Sequence, residues 1–408
     1  MLKKHNKLIS FSLSLLAAAS FATHAQPPTH QRIVVAPQCL IKNFSADYKL
    51  LASTTHLVLI ETGEAGINQL IAEKHQQKTA CGGFMDVTQD WMTTRAKARL
   101  DDNGAKSFLE GYEMPAQTSL AKKHSAYAIQ YKDQVNQLLK GLNPESMWSQ
   151  LTTLTTFPNR MATSDNGKNA SDWIKNQVES MARETGHDDV TVYTVSTGNY
   201  KQPSVVAKLG NSNIPGIVIG GHMDTLSFSS NRQPGADDDG SGTVTVLETA
   251  RILLSSGMHF KKPIYLIWYA AEEQGLIGSQ YVVADFKKKN IPVEAVMQVD
   301  MTGYSKDKTM WLINDYVNQD LTAYLETLIK TYVNQPVQYT RCGYACSDHA
   351  TWHKNGFAAS MPFESSFGDD NPDVHSSKDT MDKLSLQHMT DYAKLAVAFA
   401  VELAEPIA

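Results

Sequence analysis

Long apolar runs are scarce in this 408-residue sequence, and cysteine is scarcer still, with four in all. The longest mainly apolar stretch, Leu8 to Ala19, is broken by several serines and falls short of the ~20 residues a membrane-spanning helix needs. Charge of either sign is modest: the formal net charge is −5, and neither basic nor acidic residues form long runs. That balance removes the basic footprint of a nucleic-acid binder and the charged patch of a membrane-surface protein. Internal repeats and low-complexity stretches are also missing. What remains is a globular composition, 42% apolar and 19% charged, with length for one large domain plus a smaller attachment. A small molecule or a peptide is the partner such a chain predicts, with no nucleic acid and no membrane.

The first informative segment is the N-terminus. Lys3, Lys4 and Lys7 precede the apolar stretch, and Thr23-His24-Ala25 resembles a small-residue cleavage site, so residues 1–25 read as a signal peptide of an exported protein. Export changes the meaning of the cysteines, because oxidising compartments favour disulfides. Cys342 and Cys346 are close enough for a local bridge, which leaves Cys39 to pair with Cys81. Residues 26–118 carry their own turn signals, Gly63-Glu64-Ala65-Gly66 and Cys81-Gly82-Gly83, and read as a small α+β pro-region, with the join between Gly111 and Lys123. A permanent accessory domain is the alternative.

Residues 119–408 form the main domain. Helical patterns there alternate with short β-rich runs, which predicts an α/β fold: a mixed, mostly parallel central sheet flanked by helices. Ile217-Val218-Ile219 runs into Gly220-Gly221-His222, Ile264 to Tyr269 into Ala270-Ala271-Glu272-Glu273, and Val296 to Val299 into Asp300. Each is an apolar strand with polar chemistry at its C-terminal end, where open α/β sheets place their ligands.

Those strand ends define the chemistry. His222 and Asp224 suit a metal-bound imidazole whose second ring nitrogen is held by a carboxylate. Asp237-Asp238-Asp239 lie between glycines before a predicted helix, Thr243 to Leu254, where a cation would offset their mutual repulsion. Glu272-Glu273 can divide the work, one acid ligating a metal while the other faces the reacting water. Asp300, Asp348, His349, His353 and His375 supply further candidates. Imidazoles and carboxylates without thiolate suit hydrolytic zinc, with two ions about 3.5–4 Å apart.

These blocks, with Cys342-Gly343-Tyr344-Ala345-Cys346-Ser347-Asp348-His349 and Met361-Pro362-Phe363-Glu364-Ser365, resemble the bacterial secreted leucyl aminopeptidases, a family of co-catalytic di-zinc exopeptidases. The resemblance runs from about residue 140 to 400. It implies two Zn2+ per chain, with Asp238 bridging them, His222 and Asp300 completing one site, and Glu273 and His375 the other. It implies Glu272 as general base, Asp224 as the residue orienting His222, and Tyr344 as a residue that helps hold the scissile carbonyl or its oxyanion. The expected substrates are peptide and protein N-termini, and the enzyme is expected to be a monomer. Asp237, Asp239, Asp348, His349 and His353 become supporting residues.

Met301, Ile313, Met361, Phe363, Phe367 and Val374 match an apolar side-chain pocket beside the Cys342–Cys346 loop. Asp369-Asp370 depart from the family where an aromatic is expected. Asp370 could pair with a lysine or arginine substrate side chain, or both acids could simply face solvent. Rival readings keep the fold and change the chemistry: a one-zinc glutaminyl cyclase, a carboxypeptidase or dipeptidase, or a receptor-like ectodomain without metal.

Overall fold

The β-branched runs of the sequence become the middle of a mixed sheet. The structure, a computed structural model, describes residues 31–76, 83–97, 102–113, 127–226 and 232–407. The expected signal peptide, most of the expected join and Cys81 lie outside the described residues. Cys39 is disulfide-bonded, and Cys342 is bonded to Cys346.

The N-terminal module contains β1 (Arg32–Pro37), β2 (Tyr48–Ser53), β3 (Leu57–Thr62) and β4 (Met85–Asp86). They form an antiparallel sheet in the order β2-β3-β1-β4, with helices Glu64–Gln76, Thr88–Lys97 and Asp102–Glu110. This is the small α+β arrangement that the turn signals predict. Its core does not close on itself: Ile33, Val35, Leu57 and Trp91 pack in one apolar cluster with Leu276 and Ala350 of the main domain. Gln31–Ala408 accordingly form one compact unit.

The later strands are β5 (Val190–Val195), β6 (Ser204–Leu209), β7 (Gly216–His222), β8 (His259–Phe260), β9 (Ile264–Tyr269) and β10 (Val293–Gln298). They are followed by β11 (Met310–Ile313), β12 (Val337–Thr340), β13 (Ala359–Ser360), β14 (Pro362–Phe363) and β15 (Pro406–Ile407). The central sheet has the order β13-β10-β7-β9-β6-β5. Its first four strands are parallel, and β6 and β5 complete it in antiparallel fashion.

Successive strand side chains point to opposite faces, and this sheet is covered on both. Ile217, Ile219, Ile264, Leu266 and Trp268 face the core beneath helices Gly242–Ser255 and Leu386–Ala404. Val218, Tyr265, Ile267 and Tyr269 face helix Ile277–Lys288 and Trp352. Burial on both faces explains why the strands read as unbroken apolar runs instead of alternating ones. Each large side chain so buried contributes ~1.5–3 kcal/mol, which holds the strand ends rigidly enough to position ligands.

Candidate metal centre

Three strands deliver their chemistry to one sheet edge. Parallel register places His222 opposite Tyr269 and Gly220 opposite Gln298. The chain leaving β7, β9 and β10 therefore carries His222, Glu272-Glu273 and Asp300 to the same place. Asp238 arrives from the turn Ala236–Ser241 that precedes helix Gly242–Ser255. His375 arrives from a loop, with its backbone in the left-handed region at φ 55°.

The two oxygens of Asp238 face different partners. Oδ1 lies 3.0 Å from His222 Nε2, which is also 3.4 Å from Asp300 Oδ1. Oδ2 lies 2.9 Å from His375 Nε2, which is 3.2 Å from Glu273 Oε2. Two triads result, His222-Asp238-Asp300 and Asp238-Glu273-His375, each with ligand atoms within 4.8 Å of one another. A tetrahedral zinc with ligands at ~2.0–2.1 Å separates its donors by about 3.3 Å, so the spacing fits.

The electrostatics fit as well, because three nearly buried carboxylates need compensating positive charge. Burial alone would lower the pKa of His375, but Glu273 and Asp238 beside it push it up to about 10. His222 is raised in the same way, against its burial, by Asp300 and its neighbours. Burial pushes Asp238 up, yet the two imidazoles hold it well below the usual carboxylate range. A bound cation would supply this positive charge directly.

A further layer of hydrogen bonds fixes the donors. Asp224 lies 3.4 Å from His222 Nδ1 and accepts the backbone N–H groups of Glu272 and Glu273 at 3.0 and 3.2 Å. Asp239 accepts from the N–H groups of His222, Gly242 and Met301. Asp237 accepts from Gly303 N–H and the Asn371 amide. Asp379 accepts from the N–H groups of Asp237 and Asp238 at 3.0 and 3.1 Å, and Ser347 Oγ donates to Asp300 at 2.5 Å. Arg160, fully buried, donates to the carbonyls of Met223, Pro234 and Gly235 and ties two ligand-bearing loops together. Sequence reasoning gave no role to Asp379, Ser347 or Arg160; Ser347 lies in the Cys342–His349 block, and no local pattern around the other two gives a signal. Asp348 and His349 are buried at the start of helix His349–Lys354, which also carries His353; none of the three belongs to either triad.

Glu272 and Tyr344 line one small cavity with Glu273, Leu276 and Cys346. Gly83 and Phe84 of the N-terminal module line it too. Gly83 sits at φ 104°, where a Cβ would come within 2.0 Å of the Tyr344 ring, and a Cβ on Gly275 would meet Asp86 N at 2.7 Å. Asp86 N–H donates to the Gly275 carbonyl at 3.1 Å. The module thus lies against the centre itself.

Met301, Ile313, Met361 and Phe363 form one apolar cluster with Tyr344 and the disulfide, and Phe367 and Val374 pack against it. The two acids of the neighbouring loop separate. Asp369 is exposed and paired with Lys306 at 2.9 Å. Asp370 is half-buried and accepts the Gly368 N–H at 2.7 Å; burial raises its pKa, with Asp238 adding to the rise.

With this geometry the comparisons with known proteins become decisive. The model of peptidase family M28 matches residues 204–400. Leucine aminopeptidase 1 of Arthroderma otae is 37% identical over 333 residues, covering 77% of this chain and 89% of the relative. The chain belongs to peptidase family M28. The crystal structure of the Legionella pneumophila LapA aminopeptidase is 42% identical, with a TM-score of 0.82, and covers 92% of this chain and 99% of its own. That coverage exceeds what residues 127–407 alone can supply, so the likeness takes in part of the N-terminal module. The Porphyromonas gingivalis glutaminyl cyclase covers 64% of this chain and 99% of its own, at 17% identity and a TM-score of 0.54, and shows the fold alone. Family and relatives mark this M28 chain as a zinc aminopeptidase.

Proposed function

We propose that this M28 enzyme is an exported aminopeptidase that holds two zinc ions and hydrolyses the first peptide bond of peptides and proteins. The reading rests on Asp238, whose two carboxylate oxygens each face a separate triad of zinc-type donors. His222 and Asp300 would complete one ion's protein ligands, and Glu273 and His375 the other's. Bound zinc supplies a water of lowered pKa and positive charge against the developing oxyanion.

The chain's own residues do the rest. Glu272, beside Glu273 in the same cavity, accepts the proton of the attacking water and returns it to the leaving amine. The Tyr344 hydroxyl donates a hydrogen bond to the oxyanion. Asp224 holds His222 in one orientation and fixes the backbone of both glutamates. The apolar cluster of Met301, Ile313, Met361, Phe363, Phe367 and Val374 takes leucine-like or aromatic side chains. Asp370, half-buried at its rim, favours basic ones; Asp369, already paired with Lys306, does not take part. The N-terminal module serves as a pro-region, because Gly83 and Phe84 cover the cavity in which Glu272 acts.

Zinc analysis of the processed enzyme, with hydrolysis of Leu-, Lys- and Arg-anilides, tests the reading. Two zincs per chain and release of all three are expected. Asp370→Ala is expected to lower Lys and Arg turnover several-fold relative to Leu; unchanged selectivity removes Asp370 from the pocket. One zinc per chain with cyclisation of N-terminal glutamine would replace the peptidase by a cyclase.

A further inference from the structure

We infer that His187, Asp189 and His259 form a separate binding site for one divalent transition-metal ion, at the end of the sheet opposite the catalytic centre. Asp189 immediately precedes β5, and His259 opens β8 shortly before β9 begins. The catalytic ligands leave the far end of β9, about 20 Å away for a six-residue strand at ~3.3 Å per residue.

His187 follows Gly186, the left-handed residue that ends helix Asp165–Thr185. Its imidazole is largely buried, with Nε2 2.9 Å from the Leu254 carbonyl oxygen. A carbonyl can only accept, so the network assigns the hydrogen to Nε2 and leaves the lone pair of a neutral ring on Nδ1. That lone pair points at Asp189 Oδ1, 3.1 Å away. Two lone pairs facing at this distance require a proton or a metal ion between them.

A second imidazole on the same carboxylate supplies the third donor that a metal ion needs. His259 Nδ1 lies 3.5 Å from the other oxygen of the same carboxylate, and the two rings are 5.7 Å apart. A single ion can take one donor atom from each of the three residues, since three such atoms lie within 4.8 Å of one another. Two imidazoles and a carboxylate suit zinc, copper or nickel. The bond from His187 Nε2 to a backbone carbonyl is the outer support that metal-bound imidazoles commonly have. His259 is 61% exposed, which leaves room for water as a fourth ligand. Such an ion would tie together the end of helix Asp165–Thr185, the start of β5 and the β8–β15 ribbon.

The test uses the full chain loaded with zinc, dialysed free of excess metal and titrated with Zn2+ by calorimetry. Native enzyme is compared with His259→Ala and with Asp189→Asn. Native protein should bind one more zinc than either variant, and added zinc should raise its thermal midpoint by several degrees while leaving both variants unmoved. Anilide hydrolysis should be the same in all three, which separates this site from the catalytic one. Because His259 is exposed, its truncation leaves the core intact. Equal zinc stoichiometry in native enzyme and His259→Ala overturns the inference.

Discussion

Among the described residues, two clusters each have a pair of histidines sharing one aspartate, and they differ in almost everything around that motif. At the C-terminal ends of the parallel strands, His222, Asp238 and His375 are buried, joined by Asp300 and Glu273, and held by Asp224, Asp237, Asp239 and Asp379. At the opposite end, His187, Asp189 and His259 grade from buried to exposed, with the Leu254 carbonyl as outer support. Donor type alone does not separate the proposed catalytic centre from the proposed peripheral site. Burial and the backbone hydrogen bonds behind the donors do, because only a dry, rigid site can hold a reacting water and a carbonyl in register.

The strongest way to break that contrast is Asp238→Ala, which removes the carboxylate common to both triads. Anilide hydrolysis should fall by roughly a thousandfold or more, in line with loss of metal-assisted water activation, and bound zinc should fall with it. Survival of near-native activity would show that the centre does not work as a two-ion site. Asp224→Asn probes the supporting layer. It leaves every proposed ligand in place, and zinc affinity or kcat/KM should drop about 10- to 100-fold, the usual cost of losing such a partner; competition with a chelator measures it. The smallest effect belongs to the other end of the sheet. His259→Ala should leave kcat/KM within about twofold of native, as for a surface change away from the core, and a larger loss would mean that the two clusters communicate.

Much of the candidate metal centre was legible in the sequence because it is built at strand ends. His222, Glu272-Glu273 and Asp300 each follow an apolar run, and parallel pairing must then bring them to a common edge. The choice of Asp238 among three adjacent acids, and of His375 among several histidines, came from family resemblance and not from spacing. In three dimensions the three adjacent acids diverge, since Asp238 faces both imidazoles whereas Asp237 and Asp239 are turned to backbone and amide donors. The Asp369-Asp370 pair likewise reads as one acidic patch in the sequence and resolves into an exposed ion pair and a half-buried carboxylate.

The sequence by itself determined the layered α/β fold, since runs such as Ile264 to Tyr269 can be so apolar only if both faces of the sheet are covered. It also determined which residue types could carry hydrolytic metal chemistry. Tertiary structure alone decided what surrounds them. Asp379 and Arg160 come to the centre from distant segments, Phe84 crosses from another module, and His187 meets His259 from far along the chain. Hydrogen bonds and packing act over a few ångströms of space, whereas sequence patterns report only on neighbours along the backbone.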